Sequence, residues 1–357
     1  MLERQMRQDT SIDFTLVDVI RNQYIPNLCK STRINNHDNN FINSTTTTKK
    51  KKKKLQRIPI IFVCKMYTYG FGNVGKGIVE GFHECEKRLH MNLLQKCILQ
   101  LARNNESYIQ LRDVFARTLA VYTTCGYILG IGDRHLDNYL VDQTTGQIIG
   151  IDFGAAFGYG LGLGVPEMMP LRYTRQFQHL MDPLDSPFLF KTDVTHTLRA
   201  LQKNKENLLN VMNVFIKEPS LDWVEMAQRN FKDSNAEFLM RTNASTDDGD
   251  EENSGSANNP DIAWYPKHKV EIAKMKLNGY KSSYVMVEEI QSTTHYKAHH
   301  YQVMKRIING ELSNVHSKRL KYPDQCETVE DQVECLIDHA MDDSILSITW
   351  QGWSSWV

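Results

Sequence analysis

The hydrophobic positions in the middle of the chain follow the period of an α-helix. Four apolar or aromatic side chains recur at steps of four, four and three residues, namely Leu111, Phe115, Leu119 and Tyr122. This spacing places them on one face of a helix. The pattern runs toward Gly130, and a glycine suits the end of a helix because it has no Cβ. The sequence therefore predicts one long, partly buried helix here, and helical patterns resume over 264–277.

Beyond Gly130 the pattern becomes that of short strands. The stretches YLVD and QIIGID, separated by polar residues 143–146, are typical of strand, turn and strand. The second stretch leads directly into Asp152-Phe153-Gly154. A hairpin of this kind brings Asn138, at the start of its first strand, close to Asp152, at the end of its second. We expect Asp133 to lie beside them.

The end of the chain predicts a separate helical segment over 325–357. Thr328 and Asp331 have the spacing of a helix-capping pair. The positions predicted to form the buried face of the helix that follows are Val329, Val333, Leu336, Ile337 and Ala340. Trp350, Trp353 and Trp356 then recur at steps of three. We expect these rings to pack on the main body, with insertion into a membrane surface as the alternative.

Two polar stretches interrupt the globular pattern. Residues 28–69 contain Asn and Thr tracts and the run Lys49–Lys54, and they are expected to form a low-complexity insert and an uncertain hinge. The lysine run is either a nuclear import signal or part of this solvated insert. Residues 245–260 are acidic and rich in Gly and Ser, which predicts a disordered surface loop within the lobe.

Composition and charge narrow the class of protein. The chain has 357 residues with 42 basic and 42 acidic side chains, so its net charge of zero argues against a protein that coats nucleic acid. Seven cysteines without a CxxC pair indicate neither a zinc ribbon nor a disulfide framework. No apolar run approaches the roughly 20 residues of a membrane span, and the polar start is unlike a secretory signal. We therefore expect a soluble intracellular protein.

The segment 126–154 contains the residues that phosphoryl transfer requires. Asp133 and Asn138 are five residues apart, and the Asp-Phe-Gly sequence follows a predicted hairpin. Hard oxygen ligands on Asn138 and Asp152 could hold metal ions that neutralise the charge of phosphates. The group that orients the hydroxyl nucleophile is Asp133 or His135. The histidine lies two residues after the aspartate, whereas in most protein kinases it lies two before the aspartate.

This order of motifs resembles the phosphatidylinositol 3-kinase-related kinases. The quoted stretches are GDRHLDN and IDFG, then VPEMMPLRYTRQFQHLMDP over 165–183, VMNVFIKEPSLDW over 211–223 and CLIDHAMDDSILSITWQGWSSWV over 335–357. The last stretch is similar to the FATC tail of that family. The resemblance implies an α+β, protein-kinase-like fold of the PI3/PI4-kinase type. Its large lobe would be mainly helical, with a catalytic β-hairpin, and would span residues 70–324.

The resemblance also implies roles for individual residues. Asp133 would be the catalytic aspartate, with Arg134 and His135 in the same catalytic set. Asn138 and Asp152 would hold Mg²⁺, and the same two residues with Phe153 and Gly154 would contact ATP. Residue 155 is Ala, where several relatives carry His or Asp. MRQD at 6–9 resembles the end of a small-lobe helix, so residues 1–27 would be its remnant and most of the small lobe would be missing.

The implied activity is that of a serine/threonine protein kinase in DNA double-strand-break repair by non-homologous end joining. Its substrates would be proteins phosphorylated at Ser or Thr, and members of that family often favour a Gln after the target residue. DNA-end-binding proteins would be partners through regions outside this chain, no direct nucleic-acid site is evident, and the expected location is the nucleus. Two alternatives remain open. The chain could be a phosphoinositide lipid kinase, or a catalytically incompetent interaction fragment, since the missing small lobe leaves its activity in isolation uncertain.

Overall fold

The computed structural model describes residues 76–182, 186–215, 264–293, 298–313 and 315–355. Within these ranges the fold is α+β, with many helices around one small antiparallel hairpin, as the sequence predicted. The predicted small-lobe remnant 1–27, the insert and hinge 28–69, the insert 245–260 and Trp356 all lie outside the described residues. None of the described helices is long and apolar enough to cross a membrane.

The elements follow one another in a simple order. In chain order they are α1 Lys76–Arg88, α2 Leu93–Leu101, α3 Asn105–Leu129, β1 Tyr139–Val141, β2 Ile148–Gly150, α4 Arg175–Met181, α5 Ser186–Lys203, α6 Lys205–Phe215, α7 Trp264–Leu277, α8 Ser282–Thr293, α9 Ala298–Ile308, α10 Val329–Ala340 and α11 Asp343–Leu346. Short 3₁₀ turns lie at Leu136–Asn138, Tyr159–Gly162, Lys318–Leu320 and Gln351–Trp353.

Helix α3 is the long helix that the apolar spacing predicted. At its start, Asn104 and Ser107 each accept a hydrogen bond from the backbone N–H of the other, which forms a capping box. Leu111, Phe115 and Leu119 are buried, and Tyr122 is half-buried. The helix ends at Gly130, whose φ of 62° is left-handed. A Cβ there would lie 2.7 Å from the nitrogen of Gly158, so glycine also permits close approach of the two backbones.

The hairpin is confirmed, but its strands are shorter than the two sequence stretches suggested. Tyr139 pairs with Gly150 and Val141 with Ile148, in antiparallel register. The side-chain oxygens of Asp142 accept hydrogen bonds from Thr144 and Thr145 and close the turn. Beyond Gly150, the carbonyls of Ile151 and Asp152 accept hydrogen bonds from the side chain of Arg134.

Two hydrophobic clusters form the core, and the C-terminal segment contributes to both. The larger cluster packs α3 against α5, the hairpin and α10, which supplies Val333, Leu336 and Ala340. The smaller cluster lies between α8, α9 and the segment after the hairpin, and it includes Leu346 of α11 and Trp353. Helix α10 therefore shares a core with the hairpin, whereas Leu346 and Trp353 belong to the smaller cluster.

The predicted cap and tryptophan packing of this C-terminal segment have mixed outcomes. The Thr328 hydroxyl accepts from the Asp331 backbone N–H at 3.1 Å, which confirms the cap of α10. Trp353 is buried as predicted, but the prediction for Trp350 is wrong because 54% of that residue is exposed. The ring of Trp350 folds over Gly352, where a Cβ would lie 2.0 Å from it, and so it covers backbone instead of entering the core.

Candidate active site

The loop after α3 is joined to the segment that follows the hairpin. Gly132 N–H donates to the Ala155 carbonyl at 2.6 Å, and Gly158 N–H donates to the Gly130 carbonyl at 2.9 Å. These bonds place the loop from Gly130 to Asn138 beside the residues that follow Asp152. Asp133 and Asp152 both have left-handed backbone angles, with φ of 55° and 57°. Such angles are uncommon for residues other than glycine and are held here by neighbouring contacts.

Asn138 and Asp152 meet at the open end of the hairpin, as the sequence predicted. The Ile151 N–H donates to the Asn138 carbonyl at 3.1 Å, so the residue before Asp152 is bonded to Asn138 itself. The Asn138 side chain is buried and donates through Nδ2 to the Asp133 carbonyl at 2.7 Å. This bond leaves the amide oxygen of Asn138 as a possible metal ligand. The Asp152 residue is exposed, and one of its carboxylate oxygens accepts from Gly154 N–H at 3.2 Å.

His135 lies within reach of the Asp133 carboxylate. The distance from His135 Nε2 to Asp133 Oδ1 is 3.7 Å, longer than a hydrogen bond but short enough for an electrostatic contact. His135 Nδ1 lies 3.9 Å from Asp137 and has no hydrogen-bond partner among the described residues. The imidazole therefore lies beside the Asp133 carboxylate. Asp133 itself is partly exposed, so a substrate group could approach it.

Arg134 is largely buried, and its guanidinium contacts the protein backbone on both sides of the site. It donates from Nε to the Gly132 carbonyl at 2.8 Å and from Nη1 to the Ile151 carbonyl at 2.9 Å. Nη2 donates to the carbonyl of Asp152, and Nη1 also donates to the hydroxyl of Tyr122 at 2.6 Å. These contacts join the Asp133 loop to the Asp152 turn. The arginine is therefore placed to position both.

The two remaining predicted residues, Phe153 and Gly154, lie at the surface of the site. Phe153 is 54% exposed, with its ring centre 6.4 Å from that of Tyr122 and 5.7 Å from the Arg134 guanidinium. Gly154 is exposed and holds Asp152 through its backbone N–H. No described contact tests whether either residue binds a nucleotide. Their assignment as cofactor-binding residues stays a prediction.

Two functional candidates, Glu167 and Arg172, were not identified from the sequence. The Glu167 carboxylate accepts the backbone N–H of Asp133 at 2.7 Å. Burial raises the pKa of Glu167, and the nearby Asp133 charge raises it further, while the hydrogen bond from the Asp133 backbone lowers it. A single carboxylate in the apolar stretch 161–171 was the available signal, because such a charge needs a buried partner.

Arg172 joins the same loop to the C-terminal segment. Its guanidinium donates to the carbonyls of Trp353 at 2.7 Å, Ser354 at 2.9 Å and Arg134 at 3.3 Å. It also stacks 4.2 Å from the centre of the Trp353 ring. The residue is fully buried, and burial lowers the pKa of Arg172 to about 10. The end of the chain is thus hydrogen-bonded to the candidate active site through one side chain.

Comparison with known protein families identifies the family to which the chain belongs. The family model described as phosphatidylinositol 3- and 4-kinase matches residues 22–225. The chain belongs to this family. The FATC domain model matches residues 326–357, so the family resemblance seen in the sequence is confirmed at both ends of the fold.

Individual relatives in this kinase family are much longer than the chain. The DNA-dependent protein kinase catalytic subunit of Dictyostelium discoideum is 40% identical over 279 residues, covering 76% of this chain and 6% of that protein. The Xenopus laevis protein of the same name is 35% identical, covering 78% and 6%. A Danio rerio serine/threonine-protein kinase SMG1 is 33% identical over 132 residues, covering 37% and 4%. The chain thus spans only a small fraction of these relatives.

The solved structure of the FAT and kinase domain of CtTel1 shares the fold. It superposes with a TM-score of 0.51 at 19% identity, covering 83% of this chain and 15% of that chain. This likeness confirms the predicted kinase-like architecture. At this identity it concerns the fold alone.

Proposed function

We propose that this region is the catalytic part of a serine/threonine protein kinase that transfers the γ-phosphate of ATP to protein hydroxyl groups. The observation that carries the proposal is the meeting of Asp133, Asn138 and Asp152 at the open end of one hairpin. Membership of the kinase family supports the use of ATP and a divalent metal in general terms. Finer assignments depend on the side chains described above.

Asn138 and Asp152 suit Mg²⁺ as the metal. An amide oxygen and a carboxylate are hard oxygen ligands, and Mg²⁺ in phosphoryl-transfer sites is held by one or two protein groups together with substrate phosphates and water. The described residues contain no group of three or more His, Cys, Asp or Glu that could form a self-sufficient metal cage. A metal bound here would supply charge neutralisation for the phosphates. Asp152 would contribute the negative ligand and Asn138 the neutral one.

Asp133 is the best-placed residue to receive the proton of a substrate hydroxyl. Its carboxylate is partly exposed, while its backbone N–H and carbonyl are both fixed by side chains, Glu167 and Asn138. His135 Nε2, at 3.7 Å from Asp133, is close enough to stabilise charge that develops beside the aspartate. Arg134 acts as a positioning residue, since its donors bind backbone carbonyls and the Tyr122 hydroxyl.

Protein is favoured over phosphoinositide as the substrate. Residues 155–171, which follow the Asp-Phe-Gly turn, contain no Lys or Arg, whereas an anionic lipid headgroup would favour basic residues there. The relatives at 33–40% identity carry protein-kinase names. A role in non-homologous end joining, DNA-end-binding partners and a nuclear location belong to the proposal by similarity to the DNA-dependent protein kinase relatives.

The substrate class can be tested on the protein as its own cells produce it, purified through a tag at the native gene. We expect transfer of labelled phosphate from ATP to a Ser-Gln peptide, and none to vesicles of phosphatidylcholine with 5–10% phosphatidylinositol or its monophosphates. Transfer to the vesicles alone would replace the proposal with the lipid-kinase alternative. Transfer to neither substrate, in a sample that binds Mg·ATP, would contradict it as well.

A further inference from the structure

Glu167 approaches the candidate active site from the segment after the hairpin, yet it contacts neither the predicted metal ligands nor the open face of the site. Its carboxylate Oε2 accepts the Asp133 N–H at 2.7 Å. Its own backbone N–H donates to the Gly160 carbonyl at 3.0 Å. The residue is thus fixed to the 3₁₀ turn behind it and reaches forward to the aspartate.

The Glu167 carboxylate lies close against two glycines. A Cβ on Gly132 or on Gly160 would lie 2.6 Å from Glu167 Oε2, so the carboxylate fills space that exists because both positions lack a side chain. The backbone of Glu167 is anchored at Gly160 and its carboxylate accepts from Asp133. A side chain that is shorter by one carbon would therefore withdraw the acceptor oxygen from the Asp133 N–H.

The backbone of Asp133 needs this support. Its φ of 55° lies in the left-handed region, which costs free energy for a residue with a Cβ unless neighbours hold it. Two side chains hold it: Glu167 accepts the N–H, and Asn138 Nδ2 donates to the carbonyl at 2.7 Å. Because the direction of the Asp133 carboxylate depends on this backbone angle, loss of either bond would change where the carboxylate points.

We infer that Glu167 is a positioning residue for phosphoryl transfer, which holds Asp133 in its left-handed conformation by accepting its backbone N–H. The inference rests on the proposed kinase function. It requires an acceptor oxygen at the right distance and does not require a charge, because the oxygen of a neutral amide accepts the same bond. Substitutions can therefore test the length of the Glu167 side chain and its negative charge separately.

Two conservative variants of the full protein, purified from the cells that naturally produce it, separate the effect of side-chain length from the effect of charge. Glu167→Gln keeps the reach and removes the charge, whereas Glu167→Asp keeps the charge and withdraws the oxygens by about 1.5 Å, one carbon–carbon bond. We expect kcat for a Ser-Gln peptide to fall about tenfold or more in Glu167→Asp and to stay within about threefold of wild type in Glu167→Gln. KM for ATP and peptide should change by less than about threefold in both variants.

The matched control is Glu86→Asp, which shortens another buried glutamate whose pKa is also raised by burial. Glu86 pairs with Arg175 at 2.9 Å, away from the Asp133 loop, so this variant should lose thermal stability without losing kcat. Equal kcat in Glu167→Asp and wild type would overturn the inference. An equal loss in Glu167→Gln and Glu167→Asp would also overturn it, because removing the charge while the acceptor stays in place would then cost as much as withdrawing the acceptor.

A second measurement does not depend on activity. Hydrogen exchange of the peptide that covers residues 130–136 should be faster in Glu167→Asp than in Glu167→Gln, since only the aspartate releases the Asp133 N–H. Unchanged exchange in Glu167→Asp would contradict the hydrogen bond itself. If wild-type protein transfers no phosphate while exchange follows the expected pattern, the proposed kinase function fails, and with it the positioning role, although the hydrogen bond is real.

Discussion

Replacing Arg172 by methionine tests whether one buried cation joins the C-terminal segment to the candidate active site. The guanidinium makes three hydrogen bonds to carbonyls, two of them in the C-terminal segment, and stacks on the Trp353 ring. Methionine fills part of the volume but donates nothing. Three carbonyls in a buried region would lose their donor. Leaving a buried acceptor without a hydrogen bond destabilises the fold more than replacing both partners by apolar groups.

The size of the effect follows from opposing contributions. Hydrogen bonds from a charged donor stabilise by about 2 kcal/mol each, and the stacked cation adds about 1 kcal/mol, so the contacts contribute roughly 7 kcal/mol. Against this stands the cost of burying the charge. The fall in the pKa of Arg172 to about 10 on burial corresponds to roughly 3 kcal/mol. We therefore expect Arg172→Met to lower the free energy of unfolding by about 4 kcal/mol.

Urea denaturation of the 357-residue chain, followed by tryptophan fluorescence, measures this loss. Hydrogen exchange over residues 349–355 should show faster exchange in the variant. Arg199→Met is the matched control, because Arg199 also pairs with the C-terminal segment, at Glu330, but both side chains are exposed. The free energy of unfolding of that variant should differ little from that of wild type. If Arg172→Met were as stable as Arg199→Met, the C-terminal segment would be held by apolar packing alone and the reasoning would be refuted.

Two further predictions concern the packing around α3. Burial lowers the pKa of Lys276 from 10.5 to about 8, so between these values the unfolded chain binds more protons than the folded one. The free energy of unfolding of wild type, measured relative to Lys276→Met, should therefore rise by up to about 1.4 kcal/mol per pH unit. If urea titrations gave a constant difference between the two proteins from pH 8 to 10.5, this prediction would be contradicted. Gly150→Ala should lower stability by about 1–3 kcal/mol, because its Cβ would lie 2.1 Å from the Tyr122 ring, whereas Gly164→Ala meets nothing within 4 Å. Equal melting temperatures for the two alanine variants would show that Tyr122 moves freely.

Local patterns in the sequence predicted the parts of the fold that depend on neighbours along the chain. Helix α3, its glycine end and the Thr328 cap each involve residues within a few positions of one another. The hairpin and the meeting of Asn138 with Asp152 follow from a single turn. These features could be read directly because periodicity and turn chemistry act over short distances.

The features that the sequence did not predict depend on contacts between distant segments. Glu167 reaches Asp133 across 34 positions, and Arg172 reaches Trp353 across 181. Neither of these long-range contacts produces a periodic pattern in the amino-acid sequence. Arg134 was expected in the catalytic set, but only the structure shows that its donors bind backbone carbonyls. Trp350 is a further example, because the spacing of three residues between the tryptophans does not predict which of the rings is buried in the core.

The central claim is that Asp152 is the negatively charged ligand at a phosphoryl-transfer site. Its most direct test is transfer of labelled phosphate from ATP to a Ser-Gln peptide by the full protein carrying Asp152→Asn. The matched control is Asp142→Asn, the same substitution in the turn of the same hairpin, where the amide oxygen can still accept the bond from Thr144. We expect transfer to disappear in Asp152→Asn without a change in melting temperature, and to persist in Asp142→Asn. Full transfer by Asp152→Asn would contradict the account.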